Sequence, residues 1–411
     1  MRFIKIVKDI YRIMTRFISI SKVAAVVMAF CTLAVSSCAK PVEEKDVLEV
    51  SVKTPSVASG KGQMFVNVRC NTSWTLILMD AEDDSDIDWA SLNIDSGKGN
   101  MSNVILSYQV NDSEDSRRLK IVLDNGSRWT SCMVEQAGSG QQPEPEPDPV
   151  PQPDTDLAKV SWLELPAMDN PDLGYYSHSF EMNGKEYRNY SFGWSQKDLV
   201  ALWMAYPLCS MYTNKTVSRT DAWAYDPILG PEYSPAPFGG YGGSYARGHQ
   251  VPSADRLCSY NANVQTFYGS NMTPQLNAHN EGIWQTLESK VRTLANTSDT
   301  TYVVTGCVVD GSTTFTQDSD GKKMTVPVGY YKVLLRYSKS STISTWAAMA
   351  FYTEHKSYSG STSLRSLAMS VDELEEMLGM DFFVNLPAKL GEERAAALEA
   401  EDPQTNSIWG L

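Results

Sequence analysis

Residues 247–249, Arg-Gly-His, place a guanidinium and an imidazole two positions apart in a short extended stretch, Tyr245 to Pro252. In a strand, positions 247 and 249 point to the same face. The intervening Gly248 lets another backbone or a ligand come close. Arg suits a phosphate, and His titrates near neutrality and can take a proton from water. Such a triplet is weak evidence by itself. The chain has four histidines, and the other three carry less. His178 lies in a Tyr/Ser/Phe-rich stretch with no acidic or metal-like partner pattern, His279 stands at a helix start, and His355 lies in an exposed-looking Glu-His-Lys.

A second cluster follows. Ser270-Asn271-Met272-Thr273-Pro274-Gln275 reads as a turn-forming loop that runs into a helical pattern over Asn280–Leu294, with Ile283, Trp284, Leu287, Val291 and Leu294 at steps of three and four. Asn280 and Glu288 stand eight apart, so a continuous helix projects both near one face. An amide and a carboxylate there make a sparse oxygen site of the kind Mg²⁺ prefers, because that ion keeps most of its waters.

The order of these motifs, with Val326-Pro-Val-Gly-Tyr-Tyr-Lys-Val-Leu and the terminal Asp381-Phe-Phe-Val-Asn-Leu-Pro, resembles the DNA/RNA non-specific endonuclease family with its ββα-metal fold, across roughly residues 175–390. The resemblance implies an endonuclease acting on DNA and RNA with Mg²⁺ (Mn²⁺ substituting) and leaving 5′-phosphates. It implies His249 as general base, Asn280 as the direct metal ligand and Glu288 holding a metal-bound water. It further implies Arg247 and the upstream Arg219 as phosphate contacts, and Asn271 hydrogen-bonding the loop and His249. One position departs: the family's acidic residue before Arg-Gly-His is Ala246 here. Alternation turns residue 246 away from the face of 247 and 249, so an orienting role is lost rather than the base, with Asp255 or Asp221 as possible compensation. A catalytically impaired surface protein that binds nucleic acid or glycan is the alternative.

These residues need a scaffold, and the chain is long enough to supply two domains and a leader. Six basic residues precede an apolar run, Val23–Val35, too short to span a bilayer comfortably, which ends at Ser36-Ser37-Cys38. The pattern resembles a bacterial lipobox, so the expectation is an exported outer-membrane lipoprotein with a signal peptide over 1–37 and Cys38 lipidated. The mature chain then carries a tether over 38–45. Export puts Cys70, Cys132, Cys209, Cys258 and Cys307 in an oxidising compartment without choosing a pairing.

Residues 46–138 alternate in short runs separated by Gly, Asn, Asp and Ser, the pattern of a small antiparallel sandwich of six or seven strands. Their order, with Ser73-Trp74 and the closing Val134-Glu-Gln-Ala-Gly, resembles the immunoglobulin-like BACON modules. The resemblance implies a spacer or a glycan contact, with Trp74 and Trp89 filling the core. A Pro/acidic linker over 139–155 separates it from residues 156–411, an α+β pattern with a central antiparallel sheet. The charge balance does not favour a polyanion partner: net charge is −14 overall, and residues 155–411 carry 19 Lys and Arg against 28 Asp and Glu.

Overall fold

The computed structural model describes residues 47–52, 54–139, 151–242, 245–339 and 344–411. Cys38, the leader, the 38–45 tether and most of the Pro/acidic linker lie outside the described residues. The chain divides into two compact units after Pro145.

The first unit is built of strands: β1 (Leu48–Val52), β2 (Ser56–Val57), β3 (Gly62–Cys70), β4 (Ser73–Asp80), β5 (Ala90–Leu92), β6 (Ser96–Lys98), β7 (Met101–Tyr108), β8 (Arg117–Asp124) and β9 (Trp129–Gln136). They form two sheets, β1-β3-β7-β5 and β2-β9-β8-β4-β6. Period-two burial is plain in β3, where Met64, Val66, Val68 and Cys70 are buried. Trp74 fills the interior as expected. Its indole N–H donates to the Gly99 carbonyl at 2.8 Å, and its ring lies so close to Gly97 that a Cβ there would sit 2.5 Å from it. Trp89 does not join the core. It lies in the bend before β5, half-buried, with the Arg117 guanidinium 4.1 Å from its ring centre.

The second unit contains β10 (Gly174–Met182), β11 (Lys185–Ser195), β12 (Val200–Leu208), β13 (Tyr245–His249), β14 (Met272–Leu276), β15 (Thr300–Val308), β16 (Phe315–Gln317), β17 (Lys323–Thr325), β18 (Gly329–Lys339), β19 (Ser344–Glu354) and β20 (Ala368–Met369). Its principal helices are α1 (Tyr260–Gln265), α2 (Gln285–Asn296), α3 (Val371–Leu378), α4 (Leu386–Leu390) and α5 (Glu392–Glu399). A seven-stranded antiparallel sheet, β10-β11-β12-β15-β18-β19-β20, runs through the centre.

Both faces of that sheet are covered, so its inner strands are apolar almost continuously rather than alternately. Along β18, Leu334 packs with Leu287, Val291 and Leu294 of α2, whereas Val333 and Leu335 pack with Val371, Leu374, Leu386 and Ala395. Helix α3 begins with a capping box. Ser370 Oγ accepts from the Glu373 N–H at 3.1 Å, and Glu373 returns the bond to the Ser370 N–H at 2.9 Å.

One expectation about the helices changes. The helix expected from Asn280 is regular only from Gln285. A single turn, Asn277–His279, runs into a wide turn over Asn280–Trp284, where Gly282 leaves helical geometry (φ −101°, ψ −110°). Counting residues around a continuous helix therefore does not relate Asn280 to Glu288. All five described cysteines are free thiols, with Cys70, Cys258 and Cys307 buried.

Candidate active site

Strands β13 and β14 pair antiparallel with His249 opposite Met272, Gly248 opposite Thr273, Arg247 opposite Pro274 and Ala246 opposite Gln275. The pairing sorts side chains by face: Arg247 and His249 share one, Ala246 and Gln275 the other. On the second face Thr273 accepts a hydrogen bond from the Tyr330 hydroxyl of β18 at 3.2 Å, so that face is turned to the central sheet. Ala246 is thus on the supporting side.

Glycine is required at 248. A Cβ there would lie 2.3 Å from Gln275 Oε1 and 2.6 Å from Gln275 Cβ. The Gln275 side chain cannot swing aside freely, because its amide is hydrogen-bonded to His279 at 2.8 Å. Gly248→Ala is expected to cost about 1–3 kcal/mol through this overpacking, read as a fall in denaturation midpoint. An unchanged midpoint would show that Gln275 yields without cost.

His249 packs edge-on against Phe267 (ring centroids 5.2 Å) and Trp223 (5.6 Å), which also meet each other edge-on at 4.9 Å. Burial first, and then the nearby Arg219 charge, push its pKa down to about 3, although the ring's hydrogen bond to the Arg247 backbone carbonyl opposes the shift. That bond uses one ring nitrogen as donor. The other, Nε2, is buried and has no hydrogen-bond partner. The imidazole is therefore neutral at physiological pH and presents a free lone pair.

Arg247 and Arg219 both approach the Trp223 ring, and Arg219 also that of Phe267. The Arg247 guanidinium lies 3.5 Å from the Trp223 ring centre and donates to the Pro237 carbonyl at 2.5 Å. Arg219 lies 4.7 Å from Phe267 and 6.0 Å from Trp223, exposed, and pairs with Asp221 at 2.8 Å. Cation–π contact holds each guanidinium without neutralising it. Trp223 and Phe267 were not expected as site residues, because two aromatics far apart in sequence carry no pattern that joins them.

Asn271 is fully buried and clamps the loop. Its amide donates to the Val251 and Thr266 carbonyls at 3.0 and 2.7 Å and accepts from the Val251 N–H at 2.8 Å. It reaches His249 only through the backbone beyond it, not by the direct bond expected. Glu288 lies among Lys332, Asp255, Arg292 and Arg219. Burial raises its carboxyl, with the Lys332 charge opposing, and burial lowers the Lys332 ammonium, which donates to Thr305 at 2.9 Å. Asp255 is occupied by Arg292 (2.8 Å) and the Tyr206 hydroxyl (3.2 Å), and Asp221 by Arg219, so neither replaces a carboxylate at 246.

The remaining histidines correct the sequence reading. His178 has an acidic partner after all: its Nε2 lies 2.9 Å from Asp226, 48 residues away, and Asp226 also accepts from Ser270 at the head of the 270–275 loop. Burial alone would raise the Asp226 carboxyl, yet His178 and these hydrogen bonds bring it below its ordinary value. His355 is not a free surface group, since it is hydrogen-bonded through both ring nitrogens, to Leu276 and Pro327. A cavity of about 450 Å³ lined by Lys197, Asp198, Phe315 and Lys323 among others contains none of the site residues.

Residues 172–389, just over half the chain, match the family model for DNA/RNA non-specific endonucleases. Nuclease C1 of Cunninghamella echinulata var. echinulata is 30% identical over 212 residues, covering 49% of this chain and 82% of that protein. A Serratia marcescens nuclease is 31% identical over 196 residues, covering 46% and 70%. The mouse mitochondrial nuclease EXOG is 26% identical over 213 residues, covering 49% of this chain and 57% of its own length, so the chain spans little more than half of that relative. On the family match and the arrangement of β13, β14 and the following helix, this chain belongs to the DNA/RNA non-specific endonuclease family.

Proposed function

We propose that the protein is an exported, lipid-anchored endonuclease that hydrolyses DNA and RNA with little sequence preference, using Mg²⁺ and leaving 5′-phosphates. The observation that carries the reading is His249, a desolvated, neutral imidazole whose Nε2 lone pair is unpartnered and stands beside two arginines. His249 takes the proton from an attacking water, and Arg247 and Arg219 hold the phosphate. Asn280 holds the metal ion and Glu288 a water bound to it. When bound, the ion would supply charge stabilisation for the phosphoryl group, and one of its bound waters the proton for the leaving 3′-oxygen. The residues fit a cation that stays largely hydrated. The Asn280 amide is half-exposed, and one amide oxygen suits an ion that keeps most of its waters.

Cys38 is the proposed lipid attachment point at the outer membrane, and residues 46–138 a BACON-like, immunoglobulin-type stalk joined by the 139–155 linker to the nuclease domain over 156–411. A spacer role is better supported than glycan capture, because Trp74 is buried and Arg117 covers Trp89.

The mature chain is expected to nick supercoiled plasmid and degrade RNA with Mg²⁺ or Mn²⁺, to stop in EDTA, and to yield ends that ligate without prior phosphorylation. The absence of a carboxylate at Ala246 favours one alternative, an impaired nuclease that binds nucleic acid. DNA binding without metal-dependent cleavage would select it.

A further inference from the structure

Asn280 has helical backbone angles (φ −59°, ψ −52°) and opens the wide turn that is interrupted two residues later at Gly282. With the helix interrupted so close by, side-chain anchors help to hold the turn that carries it. The residue before it is the anchor. His279 is fully buried and packs in a triangle of rings with Tyr330 (centroids 5.1 Å) and Trp284 (5.8 Å), which are themselves 5.4 Å apart. Its Nε2 lies 3.0 Å from Thr353 Oγ1 on β19, and its Nδ1 lies 2.8 Å from Gln275 Nε2 on β14.

The proton positions follow from the partners. Thr353 spends its hydroxyl proton on the Tyr330 carbonyl at 3.2 Å, so it accepts from His279 Nε2–H, and Nδ1 accepts from the Gln275 amide. Gln275 in turn presses on Gly248, next to His249. A parallel anchor holds the adjoining residue: the Leu276 N–H donates to His355 Nε2 at 2.7 Å, and His355 Nδ1–H donates to the Pro327 carbonyl at 2.7 Å.

We propose that His279 is a positioning residue for Asn280, one link in a chain Gly248–Gln275–His279–Thr353 that fixes the metal-holding amide relative to both the His249 strand and the central sheet. The proposal rests on the reading of Asn280 as the metal ligand. Thr353 is the informative position, because it lies 74 residues from His279 and changing it substitutes no residue of the segment that carries Asn280.

Mn²⁺ binding to the full mature chain, followed by electron paramagnetic resonance, tests the proposal without reference to cleavage. Thr353→Val and His279→Leu are expected to weaken Mn²⁺ binding by about tenfold, while Thr353→Ser, which keeps the hydroxyl, binds as the parent does. Cleavage by Thr353→Val should recover toward the parent rate as metal is raised. Unchanged affinity in folded Thr353→Val, with the parent binding Mn²⁺, would overturn the positioning role alone. A parent chain that does not bind Mn²⁺ would overturn the metal reading and this one with it. If His279→Leu does not fold, the Thr353 pair decides.

Discussion

His249→Ala is expected to slow cleavage of both DNA and RNA by about 10²–10⁴-fold, the usual range for loss of a general base. Substrate binding should change far less, because Arg247 and Arg219 keep their places on Trp223 and Phe267. The separation is measurable as a fall in kcat with a modest change in KM. Cleavage that survives the substitution in a preparation freed of other nucleases would remove His249 from the mechanism.

The same burial makes a second readout. With its pKa pushed down to about 3, the imidazole should show no protonation shift by NMR between pH 8 and pH 5 in the metal-free protein. A titration near the ordinary value of about 6.5 would mean that the ring is not desolvated. The sign for stability follows. Burial lowers the folded-state pKa of a base, so below about pH 6.5 the unfolded chain binds a proton that the folded one does not, and stability falls as pH falls. His249→Ala should lose that part of the acid sensitivity.

Arg256→Met is expected to destabilise the nuclease unit by about 3 kcal/mol or more, because it strands several buried acceptors at once. Arg256 is fully buried and donates to Asn189 Oδ1 (2.6 Å), the Asn189 carbonyl (2.7 Å), the Pro207 carbonyl (3.1 Å) and the Asp255 carbonyl (2.9 Å). Its guanidinium also lies 4.8 and 4.5 Å from the Tyr206 and Tyr212 ring centres. Methionine matches the stem and offers no donor. At roughly 2–4 °C per kcal/mol for a domain of this size, the melting transition should drop by about 10 °C. A loss under 1 kcal/mol would show that water takes over the stranded carbonyls. Unlike His249→Ala, this change acts on the fold first and on activity only through it.

Much of this protein was legible in its residues because the relevant signals are local. The Arg-Gly-His strand, the loop through Asn271 and the apolar stripe of α2 each lie within a few turns of chain, where spacing and geometry are directly linked. The break after Asn280 was not legible, since a single Gly in an apolar periodic stretch does not announce a change of helical geometry. Nor was the pairing of His178 with Asp226, or that of His279 with Thr353, since nothing in either neighbourhood names a partner 48 or 74 residues away.

Sequence alone determined the kinds of groups available for chemistry and the order in which strands, loop and helix deliver them. Tertiary structure decided their state. It packed His249 against Trp223 and Phe267, where desolvation favours the neutral imidazole, set two arginines beside those rings, and turned three other histidines into structural links. The reason is physical: protonation and orientation depend on the desolvation and charges around a group, and those come from residues brought together only when the sheet and its covering layers close.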